Sequence, residues 1–179
     1  MFENNQGEEF EQVVIWANMQ YYERREAVIQ KIAVPWNVQR KFDYVSNSNT
    51  IVTAYPMGKS TVDFGGTARG KSIWFDAKVT KSKTSFPLSN FKDHQHEFLS
   101  RVADQGGLAF YLIYCQPANK TWLLWFRDFD QWRQENKRKS IPFKWLDENC
   151  VIVHPSKEIA LDYLSEVFKH EQTDQGANN

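Results

Sequence analysis

STVDFGGTARGKSIWFDAK, from Ser60 to Lys78, is the stretch that decides the fold. Strand-favouring residues flank a glycine-rich middle, Gly65 to Gly70, so it predicts two strands, about Thr61–Phe64 and Ser72–Thr80, joined by a turn. On a strand, residues i and i+2 share a face. Trp74, Asp76 and Lys78 then point one way, and Ile73, Phe75 and Ala77 the other. An apolar row backed by Asp-x-Lys, with Asp63 across the turn, suits metal-dependent hydrolysis of a phosphodiester. Carboxylates hold a hard cation through oxygen. A lysine offsets the negative charge that builds on phosphate oxygens. A charged outer face on an edge strand would give the same letters.

Outward from this hairpin, the chain alternates helices and strands. Phe10, Val13, Val14, Ala17 and Tyr21 recur at helical spacing, predicting an amphipathic helix over Glu8–Tyr22. Glu11 lies in its first turn, where the helix dipole favours a carboxylate. A strand over Ala27–Ile32 follows. Two β-like runs, Val38–Val45 and Ile51–Tyr55, enclose the polar tip Ser46-Asn47-Ser48-Asn49, which predicts a two-stranded protrusion over about 36–59. Downstream, the pattern gives a helix over Asn90–Gln105, a buried strand over Leu108–Gln116 and its neighbour over Thr121–Arg127. A short helix from Asp128, another around Phe143–Glu148 and a short strand over Val151–Val153 come next. Ser156 is read as the N-cap of the last helix. The whole is an α/β domain over 8–170, with residues 1–7 and 171–179 as flexible tails.

Bulk composition sets limits. The 179 residues are 41% hydrophobic and 15% aromatic, enough for a substantial core. No apolar run approaches the roughly 20 residues of a membrane span, and the polar, acidic N-terminus does not read as a signal peptide. The reading is therefore a cytoplasmic protein, with Cys115 and Cys150 as free thiols. Formal net charge is zero, a mild argument against nucleic acid, but the distribution is uneven. Seven basic residues lie between Lys59 and Lys92, where the only acids are Asp63 and Asp76. A second basic run spans Arg133 to Lys144. His94 and His96 do not face each other on a helix, so no zinc site is read.

The Asp63/Asp76/Lys78 pattern resembles the PD-(D/E)xK nuclease core, and an ordered series of blocks makes the likeness specific. Ala27-Val28-Ile29-Gln30-Lys31 with Pro35 is similar to an AVIHK…P segment, and Ile51-Val52-Thr53-Ala54-Tyr55 to IVxAY. Ser60-Thr61-Val62-Asp63-Phe64 resembles STxDY, and the segment from Phe75 to Lys81 stands where FEAKxTK is found. Phe91 to Gln95 resembles NFHxHQ, and Lys139-Ser140-Ile141-Pro142 resembles KSIP. These blocks and their separations resemble the RecU family of Holliday junction resolvases.

The resemblance implies a restriction-endonuclease-like α/β core with a mixed central sheet flanked by helices, and a β stalk at about 36–59. It implies a homodimer acting on a four-way DNA junction, with Mg²⁺ (or Mn²⁺) as cofactor and paired nicks as product. A recombinase or branch-migration protein would be a further partner. Thr61, Asp63, Asp76 and Gln95 stand at the family's metal-site positions, with the Ala77 carbonyl as another oxygen. Lys78 stands where the transition state is stabilised, and Glu11 is an auxiliary site residue. Without the resemblance, Thr61 is a strand-favouring threonine and Gln95 a helix-surface amide. Arg69, Lys71, Lys81 and Lys83 are the phosphate-contact candidates. Phe42, Tyr44 and Tyr55 either stack on bases at the crossover or pack within the stalk or across the dimer.

Two departures stand out. Asp76 replaces the family's usual Glu, one methylene shorter, and the N-terminus is acidic where many relatives are basic. The first supports a rival reading, a catalytically weak junction binder that remodels DNA or modulates a recombinase. A nuclease acting on flaps or duplex ends and a plain α/β interaction domain are the other rivals.

Overall fold

The computed structural model describes residues 6–56 and 61–177. Its centre is a six-stranded mixed sheet. Helix α1 (Gln6–Glu23) leads into edge strand β1 (Ala27–Lys31). Strands β2 (Trp36–Asp43) and β3 (Ser48–Pro56) form a ribbon of their own. The chain returns through β4 (Phe64–Ala68) and β5 (Lys71–Thr80), then β6 (Ser85–Pro87), a 3-10 turn (Leu88–Asn90) and α2 (Asp93–Asp104). Strands β7 (Leu108–Cys115) and β8 (Lys120–Trp125) follow, then α3 (Phe126–Glu135), β9 (Ser140–Pro142), α4 (Phe143–Asn149), β10 (Val151–Val153) and α5 (Tyr163–Ala177).

The sheet order is β1-β4-β5-β7-β8-β10. Only β5 and β7 run parallel, and α2 lies on the crossover that parallel neighbours require. Strand β5 alternates as its sequence dictates. Ile73 and Phe75 enter one core with α1 and α5, where Phe75 stacks between Phe64 and Phe110 at 5.0 and 4.8 Å. Trp74 packs into the other core with α2, α3 and α4. Asp76 and Lys78 share the α2 side. Strand β7 supplies both cores, Phe110 and Leu112 to one and Tyr111 and Ile113 to the other, which explains its continuous apolar run. The α/β class and the mixed, helix-flanked sheet are those expected.

The hairpin differs from its sequence reading. Strand β4 starts at Phe64 and runs through the glycines, so residues 61–63 are irregular. The turn is only Arg69-Gly70, both at positive φ (50° and 76°), the geometry of a two-residue hairpin. Gly65 and Gly66 serve close approach instead. A Cβ on Gly65 would lie 2.3 Å from the Trp74 ring, and one on Gly66 would lie 2.0 Å from the Val28 carbonyl oxygen.

The ends of the chain also differ. Helix α1 already includes Gln6 and Gly7, and α5 runs on to Ala177, into the stretch expected to be a tail. The rest of the expected N-terminal tail (1–5), the far end of the stalk (57–59) and residues 60, 178 and 179 lie outside the described residues. Ser156 caps a single turn, its Oγ accepting from the Ile159 amide at 3.1 Å, and the last helix begins only at Tyr163. Between them, Ile159 and Leu161 are both buried on a bent, non-helical stretch. Asp162 takes over, accepting from Ser165 Oγ at 2.8 Å and from Tyr21 at 3.0 Å.

A carboxylate–lysine–amide cluster at the β4–β5 fork

Strand β5 carries Asp76 and Lys78 one strand period apart, and the first turn of α2 lays Gln95 over them. Gln95 Nε2 donates to Asp76 Oδ1 at 2.7 Å, and Gln95 Oε1 accepts from Lys78 Nζ at 2.9 Å. The Lys78 ammonium also meets Asp76 Oδ2 as an ion pair, closing a triangle of side chains. Oδ2 is buried, with the Lys78 ammonium as its partner. Asp63, just before β4, accepts from the Ala77 amide through Oδ2 at 3.0 Å. This bond brings the second carboxylate beside the first.

Asp76 is fully buried, and its pKa is pushed up from 3.8 to about 8. Burial is the largest cause and the neighbouring Asp63 carboxylate the next, against the pull of Lys78. Two carboxylates held together in a low-dielectric pocket form an anionic niche that a cation would relieve. The oxygens gathered here are those of Asp63, of Asp76, and of the Gln95 amide, the last two facing the Lys78 ammonium. Among the described residues no three His, Cys, Asp or Glu side chains converge. Carboxylate and amide oxygens are the donors that suit Mg²⁺ or Mn²⁺.

The other residues singled out in the sequence fall in different places. Thr61 is exposed in the irregular segment before β4, outside the strand expected over Thr61–Phe64. At Ala77, the amide is what engages Asp63. Glu11 is held by Lys31 of β1, on the α1 side of the sheet, whereas Asp76, Lys78 and Gln95 stand on the α2 side. Lys81 and Lys83 leave the C-terminal end of β5. Arg69 and Lys71 lie at its other end, Lys71 about 23 Å along the strand from Lys78. The Arg69 guanidinium covers the Phe168 ring at 4.4 Å. On the ribbon, the Phe42 and Tyr44 rings meet edge-on at 4.9 Å, and Tyr44 is 87% exposed. Tyr55 accepts a hydrogen bond from Asn37 across the ribbon at 3.1 Å.

Sequence reasoning missed Tyr111. It is the β7 register partner of Asp76, fully buried, with a hydroxyl that has no hydrogen-bond partner. Its pKa is raised by burial first and by the Asp76 charge second. In LAFYLIYC it reads as one more core aromatic, and only the strand register puts it beside the site.

Comparison with known proteins agrees on one family. The family model of Recombination protein U matches residues 5–169. The Holliday junction resolvase RecU of Leuconostoc mesenteroides subsp. mesenteroides is 37% identical over 155 residues, covering 86% of this chain and 76% of the relative. That of Oceanobacillus iheyensis is 34% identical over 170 residues, covering 93% and 86%. That of Geobacillus kaustophilus is 35% identical over 167 residues, covering 91% and 83%. Among solved structures, Archaeoglobus fulgidus Hjc, a Holliday junction resolvase, is similar with a TM-score of 0.40 and 10% identity, covering 78% of this chain and 90% of that one.

Proposed function

The chain belongs to the RecU family, and from that premise we propose that it is an endodeoxyribonuclease that resolves Holliday junctions by paired, metal-dependent nicks. One observation carries the reading at the level of chemistry. A buried carboxylate paired with a lysine ammonium lies beside a second carboxylate and a bridging amide. A purely structural Asp–Lys pair has no use for the second carboxylate, which raises its cost. A phosphodiester hydrolase needs all four groups.

Asp63, Asp76 and Gln95 would hold Mg²⁺, with Mn²⁺ as an alternative. When bound, the metal supplies Lewis-acid activation of water and of the phosphate. The chain's own residues do the rest. Asp63 and Asp76 would hold the ion as carboxylates, and the ion would take over the compensation of Asp76 Oδ2 that the Lys78 ammonium supplies. The Lys78 ammonium would then be placed to meet the charge that grows on the non-bridging oxygens of the scissile phosphate. Without metal, Gln95 holds Asp76 and Lys78 in register. Two such sites in a two-fold dimer would face opposed strands of like polarity, so symmetry pairs the cuts. The β2–β3 ribbon, with Phe42 and Tyr44 at its tip, supports recognition of an open crossover by stacking. Lys81 and Lys83 stand as phosphate contacts. Arg69 and Lys71 would reach DNA only far from the scissile bond.

A second reading has one observation in its favour. Asp76, shorter than the usual Glu, is fully buried and tied to Lys78 and Gln95, which opposes metal entry. A junction binder without cleavage would result. Incubation with a synthetic four-way junction and the matched linear duplex, in Mg²⁺, Mn²⁺ and EDTA, separates the two. Symmetric nicks on the junction alone, abolished by EDTA, support the resolvase. Retention of the junction without nicking in either metal supports the binder.

A further inference from the structure

The second basic run is tied by strand pairing to the segment that leads into α2, although 42 positions separate Lys137 from Gln95 in the sequence. Strand β9 pairs antiparallel with β6, Phe86 opposite Ile141 and Pro87 opposite Ser140. Two backbone bonds extend the staple: the Leu88 amide donates to the Lys139 carbonyl at 2.9 Å, and the Phe143 amide to Thr84 at 2.9 Å. Leu88 opens the 3-10 turn that feeds α2, and Gln95 sits in the first turn of that helix. The loop Asn136–Lys139 is thus registered to the segment that carries the metal-site amide. The span from Leu88 to Gln95 is roughly 15–20 Å along the chain, or about five base-pair steps at a duplex rise of about 3.4 Å.

Lys137, Arg138 and Lys139 are all exposed. No acidic side chain pairs with them among the described residues. The acid just before the loop, Glu135, accepts from Gln131 at 2.8 Å. Lys92, at the N-cap of α2, is a further exposed cation on the stapled segment, its ammonium donating to the Ser89 carbonyl at 3.4 Å. This contrasts with the β4–β5 turn, where Arg69 is spent on the Phe168 ring. Free cations on a backbone stapled to the catalytic helix suit phosphate binding, because rigid placement lowers the ordering cost of each contact.

We propose that the Lys137-Arg138-Lys139 loop grips the sugar–phosphate backbone of one DNA arm and aligns the scissile strand over Asp76. The inference rests on the nuclease reading above and adds to it a positioning element outside the metal site. Its contacts are to phosphates, so it carries no base preference.

The test is the salt dependence of binding to a four-way junction in Ca²⁺ or EDTA, followed by nicking in Mg²⁺ at saturating protein. Lys137→Ala/Arg138→Ala is compared with Arg69→Ala/Lys71→Ala and the unaltered chain. Lys139 is left in place because its carbonyl belongs to the staple, and thermal melting checks that each variant is folded. The loop variant is expected to lower affinity roughly tenfold and to flatten the slope of log K against log[salt] by about 2, near one per lost phosphate contact. Its nicking rate at saturating protein should also fall severalfold, because the contact that aligns the scissile strand is lost. A loop variant with unchanged slope, while the unaltered chain still nicks junctions, overturns the loop assignment alone. An unaltered chain that neither binds nor nicks DNA overturns both.

Discussion

Gln95 reaches across from α2 to hold Asp76 Oδ1 at 2.7 Å, and the other end of the same amide holds Lys78 at 2.9 Å. One side chain therefore links the Asp76 carboxylate and the Lys78 ammonium. Gln95→Ala removes both bonds and leaves a buried carboxylate with less compensation. The expected result is a 10- to 100-fold loss of nicking, about the range for groups that orient a metal ligand. It should come with a higher Mg²⁺ concentration for half-maximal rate. A Mg²⁺ titration of single-turnover nicking measures both, and an unchanged half-maximum would remove Gln95 from the metal site.

Lys78 has a different task. Lys78→Ala keeps the carboxylates and loses the charge that meets the transition state, so the rate should fall on the order of 10²–10³-fold. Junction affinity should change little, since the side chain is largely buried between Asp76 and Gln95. Single-turnover rates beside equilibrium binding separate these effects, and equal losses in both would make Lys78 a binding residue instead.

The raised Asp76 pKa gives a pH dependence whose sign is fixed. Between its ordinary value of 3.8 and about 8, the fold holds a proton that the unfolded chain has released. In the metal-free protein, this group's contribution to stability is fully present below 3.8 and is lost as pH rises through about 8. A cation needs the ionised form, so the rise in Tm on adding Mg²⁺ should grow from pH 6 to about 8 and level off above it. Thermal melts with and without Mg²⁺ at pH 6, 7, 8 and 9 check this. Asp76→Asn should flatten the dependence, and a pH-independent Mg²⁺ effect in the unaltered chain would contradict the burial argument.

Two neighbouring glycines should respond unequally to the same change. In Gly66→Ala the new methyl meets the Val28 backbone carbonyl at 2.0 Å, and the β1–β4 pairing must give way. In Gly65→Ala the obstacle is the Trp74 ring, which can turn. Overpacking costs about 1–3 kcal/mol, and at about 2–4 °C per kcal/mol for a chain of this size Gly66→Ala should lower Tm by several degrees. The loss should exceed that of Gly65→Ala, and a reversed order in thermal melts would mean that β1 does not lie against Gly66.

These glycines also show where the sequence was ambiguous. Glycine marks both turns and close backbone approach, and only the β1 partner, more than thirty residues upstream, tells the two apart. The faces of β5 were legible because alternation is local. So was the adjacency of Asp76 and Lys78, and Gln95 was reachable through the resemblance of its block. Tyr111 beside Asp76 and the Glu11–Lys31 pair were not legible, because both depend on the register of strands distant in the chain. Ser156 has the chemistry of a helix cap and uses it, but the burial of Ile159 and Leu161 postpones the helix to Tyr163.

The central claim is that Asp63 and Asp76 together form the metal site of a junction nuclease. The most direct measurement is the single-turnover nicking of a four-way junction in Mg²⁺ by Asp63→Asn and by the unaltered chain, with junction binding measured in parallel. The account predicts that Asp63→Asn binds the junction as well as the unaltered chain and does not nick it. An Asp63→Asn protein that still cuts at the unaltered rate would contradict the account.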